Sequence, residues 1–384
     1  MIEGNTTILL EGRGRIEVLK GEAEVFGCRG KVFEAPEGKI IPVYFPEDSE
    51  AKIDGNYIAV SGNTIPKSWE KFVSEEFERV FLYGGVDSGK SSFAVFVSNK
   101  TEIDRVIDAD IGQADISHPG SMALGRRGEN SYLLSLFELI SSEFVGSISP
   151  MNREARCLRA FKKLVEKAGD RFIVDTTGWI HGRKAVEYKL AKMEIAEPDV
   201  VVCFSRPPRE FDEYETFEVD SFVIKKRDRN LRAFIRGKSY EKWFENAEEI
   251  TVSADEVTLM FTTLFSGEKV EDEVLATFGD VIYAEKGESF LNIYSKSFDI
   301  GSEGLRALKE YFNVAEVNVI DPKSFENVLV GLYSEDYLAP GLIKEVDFEE
   351  KKIKILTRTK EIPKRVEFGE FKIEDGREVF VRLP

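Results

Sequence analysis

Residues 84–92 read Gly84-Gly85-Val86-Asp87-Ser88-Gly89-Lys90-Ser91-Ser92, and Gly84 through Ser91 complete the pattern G-x-x-x-x-G-K-[ST]. The pattern specifies a phosphate-binding loop. Its glycines let backbone N–H groups curl around an anion, its lysine reaches β- and γ-phosphate oxygens, and its serine hydroxyl can ligate Mg²⁺. The flanking sequence suits that reading. Val80-Phe81-Leu82-Tyr83 is a short apolar run with the character of a buried strand, and residues 91–97 can open a helix whose N-terminus faces the anion. The plainer alternative is a Gly-rich turn with no ligand, which a strand–loop–helix context argues against. The expectation is a nucleoside-triphosphate site built from Gly84, Gly85, Val86, Asp87, Ser88, Gly89, Lys90, Ser91 and Ser92. The loop does not identify what receives the phosphate.

Outward from the loop, strand-like runs at 80–83, 106–109, 172–174 and 200–204 alternate with helical stretches at about 91–99, 130–142, 152–168 and 182–193. Alternation of this kind predicts an α/β P-loop NTPase domain with a mainly parallel sheet. Before it, short apolar–polar runs at 7–10, 15–18, 23–26 and 40–44 are separated by Gly, Pro, Asp and Asn, which reads as a small β domain. Beyond about 270, β runs return at 328–332, 353–356 and 379–381, with one helix near 304–312. The predicted division is therefore an N-terminal β domain (1–72), a P-loop domain (73–268) and a C-terminal β-rich domain (269–384).

The chain has 384 residues, enough for two or three domains with a core in each, and 42% hydrophobic with 32% charged residues is a soluble globular composition. No run approaches the roughly 20 apolar residues that span a bilayer. The start, MIEGNTTILLEG, has neither the basic nor the apolar region of a signal peptide. Cys28, Cys157 and Cys203 lie far apart, and only His118 and His181 represent histidine, so neither a disulfide framework nor a zinc site is suggested. A cytoplasmic location and no membrane partner are expected. A net charge of −17 opposes bulk attraction to nucleic acid, so such a substrate needs a local basic surface. Abundant Lys, Arg and Glu with a single glutamine, Gln113, resembles the proteins of hyperthermophiles.

Residues 105–113 read Arg105-Val106-Ile107-Asp108-Ala109-Asp110-Ile111-Gly112-Gln113. Strand-end carboxylates beside a phosphate loop hold Mg²⁺ or accept a proton from the attacking group. Two aspartates at i and i+2 on a strand share a face, which places Asp108 and Asp110 together on the nucleotide crevice; the alternative is a solvated strand-end turn. Asp175, ending the run at 172–174, competes for the metal role. A GTPase is excluded, because Asn99-Lys100-Thr101-Glu102 ends in Glu and follows the loop's helix too closely to be a base-reading segment. Residues 225–242 carry eight Lys/Arg against two acids, and Arg229, Arg232 and Arg236 share a face if the segment is helical. Such a face over the loop would act as a lid with an arginine finger, the alternative being an ordinary solvated helix. Trp179 either packs in the core or stacks on a nucleobase. His118 reads as a loop residue, and His181 is uninformative.

Five segments in order resemble the polynucleotide 5′-hydroxyl kinase family, which includes the Clp-type kinases of pre-mRNA cleavage and tRNA splicing, the Grc-type kinases of ribosomal-RNA processing, and archaeal relatives. They are GGVDSGKSS (84–92), DADIGQADISHPGS (108–121), FVGSISP (144–150), TTGW (176–179) and the basic segment around Arg232 and Arg236. The β, P-loop, β layout is similar to that family over the whole chain. The resemblance implies that Lys90 and Ser91 hold ATP and Mg²⁺ (or another divalent cation), and that Asp110 helps bind the metal and activates a substrate 5′-hydroxyl. It further implies substrate contacts from Gln113 and from a clasp of Thr176, Thr177, Gly178 and Trp179, the last stacking on a terminal base. Arg232 and Arg236 match lid arginines within about 225–246, Lys39 falls where the N-terminal domain of relatives meets the nucleotide, and Asp175 becomes a lesser metal candidate. The expected function is ATP-dependent phosphorylation of the 5′-hydroxyl end of RNA, with DNA as a further acceptor, in RNA processing. The alternatives are a non-catalytic ATP-binding scaffold of an RNA-processing complex and a small-molecule (nucleoside) kinase. The sequence names no protein partner, which leaves protein partners unknown.

Overall fold

The computed structural model describes residues 1–222, 228–297 and 300–384. Of the basic segment predicted at 225–242, Lys225, Lys226 and Arg227 lie outside the described residues. Contacts divide the chain into Met1–Arg236 and Gly237–Pro384.

The first unit opens with eight strands: β1 Thr6–Glu11, β2 Arg15–Lys20, β3 Ala23–Val25, β4 Cys28–Gly30, β5 Val32–Glu34, β6 Ile40–Phe45, β7 Glu50–Asp54 and β8 Tyr57–Ser61. They form a five-stranded sheet in the order β4-β3-β6-β1-β8 and a three-stranded sheet in the order β5-β2-β7. A short helix, α1 (Lys67–Phe72), carries Trp69 into the interior. The indole is fully buried, with its centroid 5.1 Å from that of Phe93 and 5.7 Å from that of Phe222, and Nε1 donates to the Asp220 carbonyl at 2.9 Å.

The second layer of this unit contains β9 (Arg79–Tyr83), α2 (Lys90–Lys100), β10 (Arg105–Ala109), β11 (Ser121–Arg126) and β12 (Glu138–Phe144). It continues with α3 (Glu154–Ala168), β13 (Phe172–Thr176), α4 (Arg183–Ala196), β14 (Val200–Cys203), β15 (Thr216–Glu218) and the first half of α5 (Arg229–Phe244), the unit ending at Arg236. The strand order is β12-β11-β10-β13-β9-β14-β15. From β10 to β15 all neighbours are parallel, while β11 and β12 add an antiparallel edge. The ends of β9, β10 and β13 therefore open on one edge, where ligands of parallel sheets bind.

The two-residue period of β9 explains the layering. Val80 and Leu82 face one core, which they share with Phe93 and Val97 of α2 and with Val25, Phe33, Ile41 and Trp69 of the N-terminal strands and α1. Phe81 and Tyr83 face the other core, with Cys157, Phe161 and Leu164 of α3 and Tyr188 and Met193 of α4. A strand covered on both faces must be apolar throughout, and this one is.

The helix expected at 130–142 does not form. Leu134–Leu136 make one 3-10 turn, and Glu138–Phe144 pair with β11 as an edge strand. The Leu and Ile spacing there is helical, but the open edge of β11 offers a row of backbone partners, and pairing outweighs local periodicity. Strands β11 and β15 also fall where no strand was expected.

In the second unit, Glu248–Ser253, Lys352–Thr357, Tyr337–Asp347, Val328–Tyr333, Arg365–Glu374 and Thr258–Met260 pair in that order, with Arg377–Phe380 added to Arg365–Glu374. A second sheet of Glu268–Lys269, Val281–Lys286, Phe290–Ser295 and Glu316–Ile320 carries the helix Ser302–Phe312, near the expected 304–312. Glu285, fully buried there, accepts from Tyr294 Oη at 2.9 Å and from the Phe265 and Gly267 N–H groups at 3.0 Å. No helix among the described residues is long and apolar enough to cross a membrane.

Candidate active site

Between β9 and α2 the loop turns on Gly89, whose φ of +98° only glycine adopts freely, and a Cβ there would lie 3.0 Å from the Phe222 carbonyl oxygen. α2 then starts at Lys90, so its unpaired N–H groups open toward the loop. Lys90 Nζ donates to the Gly84 and Gly85 carbonyls at 3.0 and 2.7 Å, which holds the ammonium across the loop. Gly84 and Gly85 thus contribute carbonyls, and Val86 through Ser92 line a cleft of about 1150 Å³, part of it open to solvent.

At the second residue of α2, Ser91 Oγ donates to Asp175 Oδ2 at 2.5 Å. Asp175 stands near the end of β13, the strand next to the loop's own strand, and is 2% exposed. Its other oxygen, Oδ1, is buried without a hydrogen-bond partner among the described residues. Burial raises the carboxyl from its ordinary 3.8 to about 6, against the lowering effects of Lys90 and the Ser91 hydrogen bond. A lone buried carboxylate oxygen beside a serine hydroxyl is an acceptor set that suits a small hard cation. Among the described residues no group of three or more His, Cys, Asp or Glu side chains is arranged to hold a metal. Mg²⁺ fits such a sparse site, because it takes one or two protein oxygens and completes its shell with phosphates and water.

Asp108 and Asp110 do not share a face. β10 ends at Ala109, so Asp110 sits in the turn beyond the strand and the i, i+2 rule no longer applies. Asp108 is 1% exposed and accepts from the Asp115 and Ile116 N–H groups at 2.7 and 3.1 Å, pinning the base of the turn. Burial, then the nearby Asp175 and Asp115, push its carboxyl well above the usual range. Asp110 lines the cleft; its Oδ1 accepts from the Gly112 and Gln113 N–H groups at 3.0 and 3.1 Å. Gln113 also lines the cleft and donates through Nε2 to the Gly112 carbonyl at 2.7 Å.

The TTGW segment splits in two. Thr176 and Gly178 line the cleft. Gly178 lies so close to the phosphate loop that a Cβ would fall 2.5 Å from the Val86 nitrogen. Thr177 faces the interior, where Lys189 of α4 donates to its carbonyl at 2.7 Å. Lys189 is fully buried, and desolvation holds its ammonium well below its usual pKa; Lys192, also buried, drops to about 8 for the same reason. Trp179 is half-buried with its ring 5.8 Å from that of Tyr188, and it is not among the residues lining the cleft.

Arg232 of α5 donates through Nη2 to Asp87 Oδ2 at 2.8 Å, which brings the helix to the loop. Arg236 is one turn further along α5, half-buried. Lys39 lines the cleft from the N-terminal strands, and its Nζ lies 2.6 Å from Asp115 Oδ1. The structure thus gathers the loop residues, Lys39, Asp110, Gln113, Thr176 and Gly178 around one cleft, while Thr177 and Trp179 face elsewhere. Sequence reasoning did not single out Asp115, which lies inside the segment 108–121, or Lys189, which no motif marks; Asp175, read as a lesser metal candidate, is the acid that meets Ser91.

A family model described as mRNA cleavage and polyadenylation factor CLP1 P-loop matches residues 84–246. The polyribonucleotide 5′-hydroxyl-kinase of Pyrococcus furiosus is 30% identical over 328 residues, 78% of this chain and 89% of that protein. The enzyme of the same name from Methanocaldococcus jannaschii is 27% identical over 327 residues, 78% and 88% of the two chains. Among solved structures, Clp1p in complex with Pcf11p matches with a TM-score of 0.64 over 97% of both chains at 16% identity, a likeness of fold. With that coverage and identity, and with the phosphate loop inside the matched region, the chain belongs to the polyribonucleotide 5′-hydroxyl-kinase family.

Proposed function

We propose that the protein transfers the γ-phosphoryl group of ATP to the 5′-hydroxyl of RNA. The observation that carries this reading is that Lys90, Ser91 and Asp110 line one cleft, with Asp175 buried behind Ser91 and bonded to it, in a chain of this family. Phosphoryl transfer needs little covalent help from a protein; it needs in-line positioning and charge stabilisation. Lys90 and the N–H groups at the start of α2 bind the β- and γ-phosphates. Ser91 and Asp175 would hold Mg²⁺, with Asp110 lining the same cleft, and the metal would supply charge neutralisation to the phosphates. Asp110, oriented by its turn N–H groups, takes the proton of the attacking 5′-hydroxyl. Arg232, with Arg236 behind it on α5, stabilises charge on the transferring group. Gln113 and the Thr176–Gly178 wall receive the terminal nucleotide. Lys39 supports the nucleotide from the N-terminal strands. Trp179, half-exposed beside Tyr188, stacks on the terminal base.

The test is incubation with γ-labelled ATP and Mg²⁺ in three arms: a 5′-hydroxyl oligoribonucleotide, the matching DNA and a free nucleoside. Label on the RNA is the expected result. Label on the nucleoside alone, or none at all, overturns the reading. Lys90→Ala should lower transfer at least ~10³-fold while the far-UV spectrum is unchanged, and full activity in that variant would remove the loop from the chemistry.

A further inference from the structure

The phosphate loop contains an acid, Asp87, that the mechanism above leaves unused. A carboxylate there opposes a polyanionic ligand unless a cation stays with it. The structure supplies the cation from α5. The helix begins where Asp228 accepts a hydrogen bond from the Leu231 N–H at 2.7 Å, a capping contact that sets the phase of the first turn. Leu231 and Ile235 then descend on Gly38, close enough that a Cβ on the glycine would lie 3.1 Å from each. Arg232, between them, points to the loop and meets Asp87 at 2.8 Å, with the two side chains only 24% and 7% exposed. Its Nε is buried with no hydrogen-bond partner among the described residues, so the guanidinium keeps donor capacity for a further acceptor.

We propose that Asp87 is a positioning residue: its carboxylate docks Arg232, and with it the first turns of α5, against the phosphate loop, so that the guanidinium stands beside the phosphoryl group during transfer. This rests on the proposed kinase reading for its catalytic consequence and on geometry alone for the docking. Asn is the informative replacement. Asp87 has a φ of +55°, a conformation that Asp and Asn tolerate better than other side chains, so Asp87→Asn removes the charge and leaves the loop's backbone preference in place.

Two measurements decide the matter. In steady-state transfer, Asp87→Asn should lower kcat by about 10- to 100-fold, as expected for a misplaced catalytic group, with KM for ATP within about threefold of wild type. Arg232→Gln should lower kcat by about 10³-fold. The double variant should be no slower than Arg232→Gln, because both changes break one contact. An unchanged kcat in Asp87→Asn, or losses that multiply in the double variant, overturns the proposal. Amide hydrogen exchange across residues 231–236 reads the docking independently of catalysis. At least ~10-fold faster exchange in Asp87→Asn supports it, and equal exchange refutes it. If the wild-type protein phosphorylates nothing, the kinase reading falls and the exchange result alone judges the docking.

Discussion

His118 shows what a single buried group contributes. Its ring is fully buried, Nδ1 lies 2.9 Å from the Pro119 carbonyl oxygen, and desolvation lowers its pKa from 6.5 to about 4. The unfolded chain therefore binds a proton that the folded chain refuses between about pH 6.5 and 4. Stability from this group is complete above the upper value and is lost as pH falls through the window, on the order of 3 kcal/mol in all. Urea midpoints at pH 7 and 4.5 should differ less in His118→Asn than in wild type; an equal difference would show that other groups set the acid limit. At the site, Asp175→Asn should raise the Mg²⁺ concentration for half-maximal transfer by about 10- to 100-fold. An unchanged titration would exclude Asp175 from the metal site. Residue patterns pointed to acids at strand ends, and the family resemblance favoured Asp110 over Asp175, but which acid meets Ser91 depends on which strands lie beside β9. One of the two neighbours is β13, and it carries Asp175 to Ser91.

At the scale of elements, the strand–loop–helix unit from Arg79 to Lys100 was legible because each signal in it is local: an apolar run, glycines and a helix start. The segment 130–142 was not, because its helical spacing lost to pairing with β11, a partner that only the fold supplies. The same limit applies to Thr177 and Trp179. Their segment reads as a single clasp, yet α4 draws Thr177 inward through Lys189 and holds Trp179 against Tyr188. The close approach of Gly178 to Val86 is testable. Gly178→Ala places a methyl 2.5 Å from backbone nitrogen, so the turn or the loop must move. A displacement of about 1 Å should lower kcat by about 10²-fold, with the circular dichroism spectrum unchanged; wild-type turnover would mean that the contact is slack.

Across the first unit as a whole, the N-terminal strands and the P-loop sheet share one core, with Trp69 at its centre. Trp69→Ala should cost about 3–5 kcal/mol of stability, seen as a shifted denaturation midpoint. Removal of residues 1–66 should leave the P-loop layer insoluble, since Val80, Leu82 and Phe93 would lose their cover; a soluble, nucleotide-binding fragment would contradict this. By itself the sequence determined the phosphate loop, the α/β class and the presence of β-rich flanks, because glycine patterns and hydrophobic periods act over a few residues. The tertiary structure alone decided that Asp175 meets Ser91, that Asp108 lies beneath the turn while Asp110 lines the cleft, and that Asp87 holds Arg232. Those pairs are separated by up to 145 positions along the chain, and only packing of the strands and helices brings such distant charges within hydrogen-bonding reach.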